Sequence, residues 1–129
     1  MTDRVLLDTH TLLWWAADTK DLSRNVKRLI EDDRTSIYVS AASAWEIATK
    51  VRLGKLKWGS AESVESYCIG QGFGLLPVTF ADAERAGSWP QEHGDPFDRM
   101  LAAQSSLEGI PLVTNDLAFS LFPEVETIW

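Results

Sequence analysis

The sequence predicts an α/β fold built on a mainly parallel sheet of about five strands. Short runs of β-branched and other apolar residues alternate with longer segments whose apolar residues recur at helical spacing, as in consecutive βα units. No internal repeat, low-complexity tract or Pro/Gly/Ser-rich linker interrupts the 129 residues. We therefore expect residues 1–129 to form a single domain with a substantial apolar core.

The predicted strands are short apolar runs, most of them bounded by polar, glycine or proline positions. In chain order they are RVLL (4–7), SIYV (36–39), FGLLPV (73–78), PLVT (111–114) and VETIW (125–129). In an open parallel sheet, ligands sit beyond the carboxyl ends of the strands. Polar residues that follow these strands are therefore the first candidates for a functional site.

The predicted helices combine apolar residues at helical spacing with residues that favour helix ends. Ser23 is suited to begin a helix as its N-cap, and Gly54, Gly87 and Gly109 are suited to end helices. In chain order the predicted helices are 10–17, 23–33, 40–54, 60–70, 79–87 and 95–109. Helices thus separate most of the predicted strands, which favours parallel pairing.

Composition points to a cytoplasmic protein. Hydrophobic residues make up 45% and charged residues 24% of the chain, which is typical of soluble globular domains. A single cysteine excludes a disulfide framework and a thiolate metal cluster, and suits a reducing compartment. No apolar run approaches the roughly 20 residues of a membrane span, and the N-terminus lacks a signal-peptide pattern.

The charge balance argues against a simple basic nucleic-acid-binding protein. The formal net charge is -7, from 12 basic and 19 acidic residues, whereas simple nucleic-acid binders neutralise phosphates with excess basic side chains. An acidic pocket that holds divalent cations remains compatible with a phosphate-containing ligand. The basic residues concentrate in 20–28 and 50–57, where we expect them mainly to form a solvated rim.

Two aspartates directly follow predicted strands. Asp8 closes the first strand and Asp116 follows the fourth. Each could cap a helix or form an Asx turn, and for either residue alone that explanation is sufficient.

Glu46 lies inside a predicted helix whose apolar stripe we assign to Ala44, Ile47, Ala48 and Val51. It faces away from that stripe. It is therefore either an exposed partner of Lys50, four residues further on, or the wall of a polar cleft.

The segment DPFD contains two acids that could have different roles. Asp95 fits a helix N-cap because Pro96 would then occupy the first helical position, where a missing N–H costs nothing. Asp98 would lie in the first helical turn, where an acid is favourable toward the helix dipole. We therefore expect Asp95 to cap the helix and Asp98 to be available for chemistry.

The recurrence of acids at one predicted sheet edge favours a metal site over independent caps. Neighbouring carboxylates repel one another, and a bound cation relieves that repulsion. Carboxylate oxygens suit Mg²⁺ or Mn²⁺, which often complete their coordination with water and phosphate oxygens. This chemistry points to metal-assisted hydrolysis of phosphodiester bonds.

Four segments in this order resemble the PIN-domain ribonucleases, and more narrowly the VapC-type toxins of bacterial type II toxin–antitoxin pairs. The segments span nearly the whole chain and are LLDTHTLLWW, SAWEIATKVRLGKL, DPFDRMLAAQ and LVTND. The resemblance implies an α/β/α sandwich with helices on both faces of the sheet, and a Mg²⁺- or Mn²⁺-dependent endoribonuclease. It also implies a homodimer and a cognate antitoxin. The RNA target, whether transfer, ribosomal or messenger RNA, stays open.

Carried over by position, the resemblance assigns both catalysis and metal binding to an acidic quartet, which is Asp8, Glu46, Asp98 and Asp116. Thr114 matches the family's small hydroxyl residue two positions before the last acid, and Asp95 is an auxiliary candidate. Arg99 could contact a substrate phosphate or an antitoxin carboxylate, although a salt bridge within the fold is the stronger expectation.

The ring-bearing residues have weaker claims to function. His10, beside Asp8, could orient substrate or be structural, and His93 is expected to organise the loop before the DPFD helix. Trp14, Trp15 and Trp45 suit core or dimer packing better than base stacking, which needs solvent-facing rings.

Three other protein classes are alternatives to a nuclease. A response-regulator receiver domain needs paired acids after its first strand, an acceptor aspartate and a late lysine, and a haloacid-dehalogenase-type phosphatase needs two aspartates spaced by one residue. The segments VLLDT and PLVTND lack these patterns. A catalytically silent PIN-fold binding module is the main alternative, and the intact acids argue against it.

Overall fold

The computed structural model describes residues 3–90 and 93–129. Within them lies a five-stranded sheet in the order β3-β2-β1-β4-β5, and every pairing is parallel. The strands are β1 (Asp3–Leu7), β2 (Thr35–Ser40), β3 (Gly74–Leu76), β4 (Leu112–Val113) and β5 (Thr127–Ile128). The predicted parallel α/β sheet is therefore confirmed.

The register of the sheet places the ends of its central strands together. β1 pairs with β2 on one side, where Leu6 lies opposite Tyr38, and with β4 on the other, where Leu7 lies opposite Val113. Because all strands run the same way, the residues that follow β1, β2 and β4 emerge at one edge of the sheet.

Six α-helices and one 3-10 helix are described. They are α1 (Thr9–Ala17), α2 (Arg24–Glu31), α3 (Ala41–Arg52), α4 (Val64–Gly70), α5 (Phe80–Ser88), α6 (Pro96–Glu108) and the 3-10 helix Leu117–Leu121. Ser23 caps α2, and Gly109 ends α6 in the left-handed region at φ 65°. The expected stop at Gly87 is wrong by one residue: α5 continues to Ser88, and Gly87 does not adopt a positive φ.

Helices cover both faces of the sheet, as expected. Alternate residues of β1 point to opposite sides, so Val5 and Leu7 join one apolar core while Leu6 joins the other. The first core contains residues of α1, α2 and α4, and the second contains residues of α6 and the 3-10 helix.

Of the apolar stripe assigned to α3 from its sequence, only Ile47 is buried, while Ala48 and Val51 are exposed. The buried residues of the helix are Ala42, Ser43, Glu46 and Ile47, whereas Val51 is 42% exposed. The reason is its position: α3 begins where β2 ends and packs against α1 and α6. The helix therefore turns small and polar side chains inward, and Ser43 accepts a 2.9 Å hydrogen bond from the Thr9 hydroxyl.

Two of the three tryptophans assigned to core or dimer packing lie against the core. Trp14 and Trp15 pack against the first core, whereas Trp45 is 61% exposed and lies outside the core, so packing of Trp45 in a dimer stays a prediction. Of the helices in the described part of the chain, none is long and apolar enough to cross a membrane.

Candidate active site

Asp8 is a buried carboxylate at the carboxyl end of the central strand. It is only 5% exposed, and it caps α1 by accepting a 2.8 Å hydrogen bond at Oδ1 from the backbone N–H of His10. Its other oxygen, Oδ2, accepts a hydrogen bond from the hydroxyl of Thr114, just after β4. This contact ties two neighbouring strand ends together through the acid.

Asp116 is connected to this contact through its backbone. Its N–H donates a 3.0 Å hydrogen bond to Thr114 Oγ1. The Asp116 side chain is exposed and caps the 3-10 helix, where Oδ1 accepts from the N–H of Ala118 at 2.9 Å. Its carboxylate thus lies at the rim of the edge rather than among the buried acids, and its assignment as a metal ligand stays a prediction.

Glu46 is the most deeply buried of the four predicted ligands, at 3% exposure. The ammonium of Lys50, which is 28% exposed, donates to its Oε2. The other oxygen, Oε1, is buried and has no hydrogen-bond partner. Buried polar atoms are nearly always satisfied, so this carboxylate oxygen is available to a water, a cation or a ligand atom.

The two acids of the DPFD segment have separate partners. Asp95 Oδ1 accepts from the backbone N–H groups of Phe97 at 2.9 Å and Asp98 at 3.1 Å, so Asp95 caps α6 as expected. The Asp98 carboxylate turns away from these amides, and its Oδ2 lies 2.8 Å from Nε2 of His93. The capping role of Asp95 is therefore confirmed, and the assignment of Asp98 to the metal site stays a prediction.

The charges of neighbouring acids raise the pKa values of Asp8 and Asp98, and burial raises them more. Burial raises the pKa of Asp8, and the nearby charge of Glu46 raises it further, while the hydrogen bond from Thr114 lowers it. Burial likewise raises the pKa of Asp98 to about 6, with smaller increases from Asp95 and Asp8 and an opposing effect of the His93 hydrogen bond. Lys50 keeps its charge because its bond to Glu46 raises its pKa.

Asp8, Glu46 and Asp98 each have a hydrogen-bond partner that is not an acid. Across residues 3–90 and 93–129, no three His, Cys, Asp or Glu side chains converge closely enough to ligate one ion as they stand. Asp8 is held by Thr114, Glu46 by Lys50 and Asp98 by His93. The donor set is nevertheless the all-oxygen type that Mg²⁺ and Mn²⁺ prefer, and Glu46 Oε1 is unengaged.

Two contributors to the site were not assigned to it from the sequence. The sequence indicates Lys50 only as a surface partner of Glu46, and their i+4 spacing correctly predicts that the two side chains meet. His93 was expected to organise a loop, yet it contacts Asp98 directly. No spacing rule indicates that contact, because it depends on how the loop returns to the first turn of α6.

Arg99 and His10 lie next to the site in sequence and have other contacts. The Arg99 guanidinium donates to the backbone carbonyls of Ala86 at 2.7 Å and His93 at 3.0 Å, so it fastens the segment before α6 to the end of α5. His10 is exposed, and its ring lies 5.9 Å from that of Trp14.

A family model for the PIN domain matches residues 5–125. The chain therefore belongs to the PIN domain family. Among curated relatives, Ribonuclease VapC22 of Mycobacterium tuberculosis is 31% identical over 137 residues, covering 97% of this chain and 98% of the relative.

Solved structures share this fold. The VapBC2 complex of Rickettsia felis, bound to a DNA fragment from its promoter, superposes with a TM-score of 0.71 at 16% identity over 98% of both chains. VapC20 of M. tuberculosis, a sarcin-ricin loop cleaving toxin, gives a TM-score of 0.61 at 23% identity over 95% of this chain and 98% of that one.

The ion pair inside the site generates a stability prediction. Replacing Lys50 by Met leaves the buried Glu46 charge unpaired, so we expect the free energy of unfolding to fall by about 1–2 kcal/mol. In a Glu46→Gln background, Lys50→Met should lower the free energy of unfolding much less. Urea denaturation of the wild type, the two single variants and the double variant measures the coupling energy between Lys50 and Glu46. Lys55→Met, at an exposed position, is the control. Equal costs in both backgrounds would contradict a specific Lys50–Glu46 interaction.

The cap of α6 generates a second prediction. Asp95→Ala removes the acceptor of two backbone N–H groups, and we expect a loss of roughly 0.5–2 kcal/mol in the free energy of unfolding. Asp95→Asn retains a capping oxygen and should recover most of that loss. Thermal and urea denaturation of both variants are the measurements, and an asparagine variant as unstable as the alanine variant would show that Asp95 acts through its charge.

Proposed function

We propose that this protein is a Mg²⁺- or Mn²⁺-dependent endoribonuclease that hydrolyses RNA phosphodiester bonds and is the toxin of a type II toxin–antitoxin pair. Membership of the PIN domain family supports the proposal. So does the similarity over nearly the full length to a relative named as a ribonuclease. The observation that carries the metal-dependent mechanism is the buried, unpartnered Oε1 of Glu46 beside Asp8.

The residues suited to hold the cation are Asp8, Glu46 and Asp98, with Asp116 as the fourth member of the proposed set. Three of these four carboxylates are buried or partly buried at the same sheet edge, where a cation offsets their mutual repulsion. A divalent cation supplies Lewis-acid polarisation of the phosphate and activation of a water molecule for attack.

The other residues of the site hold these acids in position. Thr114 and the N–H of His10 fix both oxygens of Asp8, and His93 fixes one oxygen of Asp98. Lys50 holds Oε2 of Glu46 and leaves Oε1 available. Because the Lys50 side chain is partly exposed, its ammonium also offers a positive charge to an approaching RNA phosphate at an otherwise acidic site.

We further propose that a cognate antitoxin neutralises the enzyme, that the enzyme forms a homodimer, and that it acts in the cytoplasm. The toxin–antitoxin nature of related folds supports this assignment, including the VapBC2 complex of R. felis and a toxin–antitoxin complex of Klebsiella pneumoniae. An acidic site without its metal is complementary to a basic side chain. Arginine is the best match, because its planar guanidinium binds carboxylates through two hydrogen bonds.

Metal binding and cleavage should be lost together when Glu46 is changed. We expect Mn²⁺ to raise the melting temperature of the wild-type protein by a few degrees and to support RNA cleavage, and excess chelator to abolish both effects. Glu46→Gln and Asp98→Asn should lose both responses, whereas Asp95→Asn should keep measurable cleavage. Differential scanning fluorimetry and a gel assay of RNA cleavage are the measurements.

The control for this experiment is Glu84→Gln, which changes an exposed acid on α5 and should behave as wild type. Cleavage that persists in chelator, in a preparation free of contaminating nuclease, would contradict the metal-dependent mechanism. A protein that neither responds to Mn²⁺ nor cleaves RNA would instead be the silent PIN-fold binding module.

A further inference from the structure

Trp45 is an exposed aromatic residue at the rim of the candidate active site. Its side chain lies on α3 with 61% of the residue exposed, and its ring meets that of Phe97 edge-on, with centroids 4.7 Å apart and an interplanar angle of 73°. The Phe97 contact spans α3 and α6 and covers only part of the indole. Much of a large aromatic surface thus remains open to solvent.

Trp45 and Phe97 are each adjacent in sequence to an acid of the candidate site. Trp45 directly precedes Glu46 on α3, and Phe97 directly precedes Asp98 on α6. Successive residues of a helix diverge by about 100°, so the two rings meet beside the acids rather than among them. The amides of Phe97 and Asp98 both donate to Asp95, so the same cap holds the stretch of backbone that carries the ring and the acid.

Basic side chains lie on α3 and in the segment that follows it. Arg52 follows Trp45 by seven residues, which places it on the same face of α3 about 10 Å further along, and it is exposed. Lys50 reaches the acids from the same helix, and Lys55 is exposed just beyond it. In a chain of net charge -7, this helix and the turn after it combine an open ring with positive charge.

We propose that Trp45, supported by Phe97, stacks on an unpaired base of the RNA substrate next to the cleaved phosphate. This inference rests on the proposed function. A single-stranded nucleotide offers both a free base face for the indole and phosphates for the basic side chains, whereas bases inside a duplex have no free face to offer. An apolar protein partner would use the ring but not the adjacent positive charges.

The test compares RNA binding and cleavage by four proteins: wild type, Trp45→Ala, Trp45→Phe and the control Ile69→Ala, which shortens an exposed apolar side chain on α4. Fluorescence anisotropy with a short unstructured RNA, in chelator, measures affinity. We expect Trp45→Ala to weaken binding by roughly tenfold to a hundredfold. Trp45→Phe, which keeps a stacking ring, should stay within a fewfold of wild type, and Ile69→Ala should be unchanged.

Cleavage kinetics and oligomeric state complete the comparison. With Mn²⁺, Trp45→Ala should raise KM far more than it lowers kcat, and the same RNA annealed to its complement should be a poor substrate for every variant.

Unchanged RNA affinity for Trp45→Ala would overturn the proposal. So would a change from dimer to monomer by light scattering that accounts for the lost affinity, because Trp45 would then contact a second copy of the chain. A wild-type protein that cleaves no RNA would overturn the proposed function itself, together with this inference.

Discussion

The burial of the Asp8 carboxylate at the end of the central strand is the constraint around which the site is organised. A carboxylate removed from water needs compensating hydrogen bonds, and Asp8 obtains them from the first turn of α1 and from the Thr114 hydroxyl beyond β4. Those bonds join β1, α1 and β4 at one edge of the sheet. Thr114 in turn accepts the N–H of Asp116, so the start of the 3-10 helix depends on the same acid.

The inward face of α3 buries polar side chains where apolar side chains are available. A helix of this composition could bury Ala48 and Val51, yet it leaves both exposed and buries Ser43 and Glu46. Burying Glu46 costs desolvation free energy that the ion pair with Lys50 offsets only through one oxygen. The fold therefore gives up stability at the candidate site, as expected where residues are kept for function.

The sequence predicted the strands, their parallel pairing and most helix ends, because each depends on local patterns such as the Ser23 cap and the glycine after α6. It also predicted an acidic quartet at one edge. Asp8, Glu46 and Asp98 are buried or partly buried there and Asp116 is exposed, and their role as metal ligands stays a prediction. Prediction from the sequence failed where tertiary contacts decide the outcome. The buried face of α3 depends on its packing against α1 and α6, the contact of His93 with Asp98 depends on the path of a loop, and the exposure of Trp45 follows from the orientation of α3.

We propose that Glu46 Oε1 and Asp8 form the inner part of a divalent cation site. Anomalous diffraction from crystals grown with Mn²⁺ locates the ion independently of any assay. We expect an anomalous peak within bonding distance of Glu46 Oε1 and Asp8, with Lys50 still on Oε2. A peak confined to other carboxylates, or none at this edge at Mn²⁺ concentrations that support cleavage, would show that the cation site lies elsewhere.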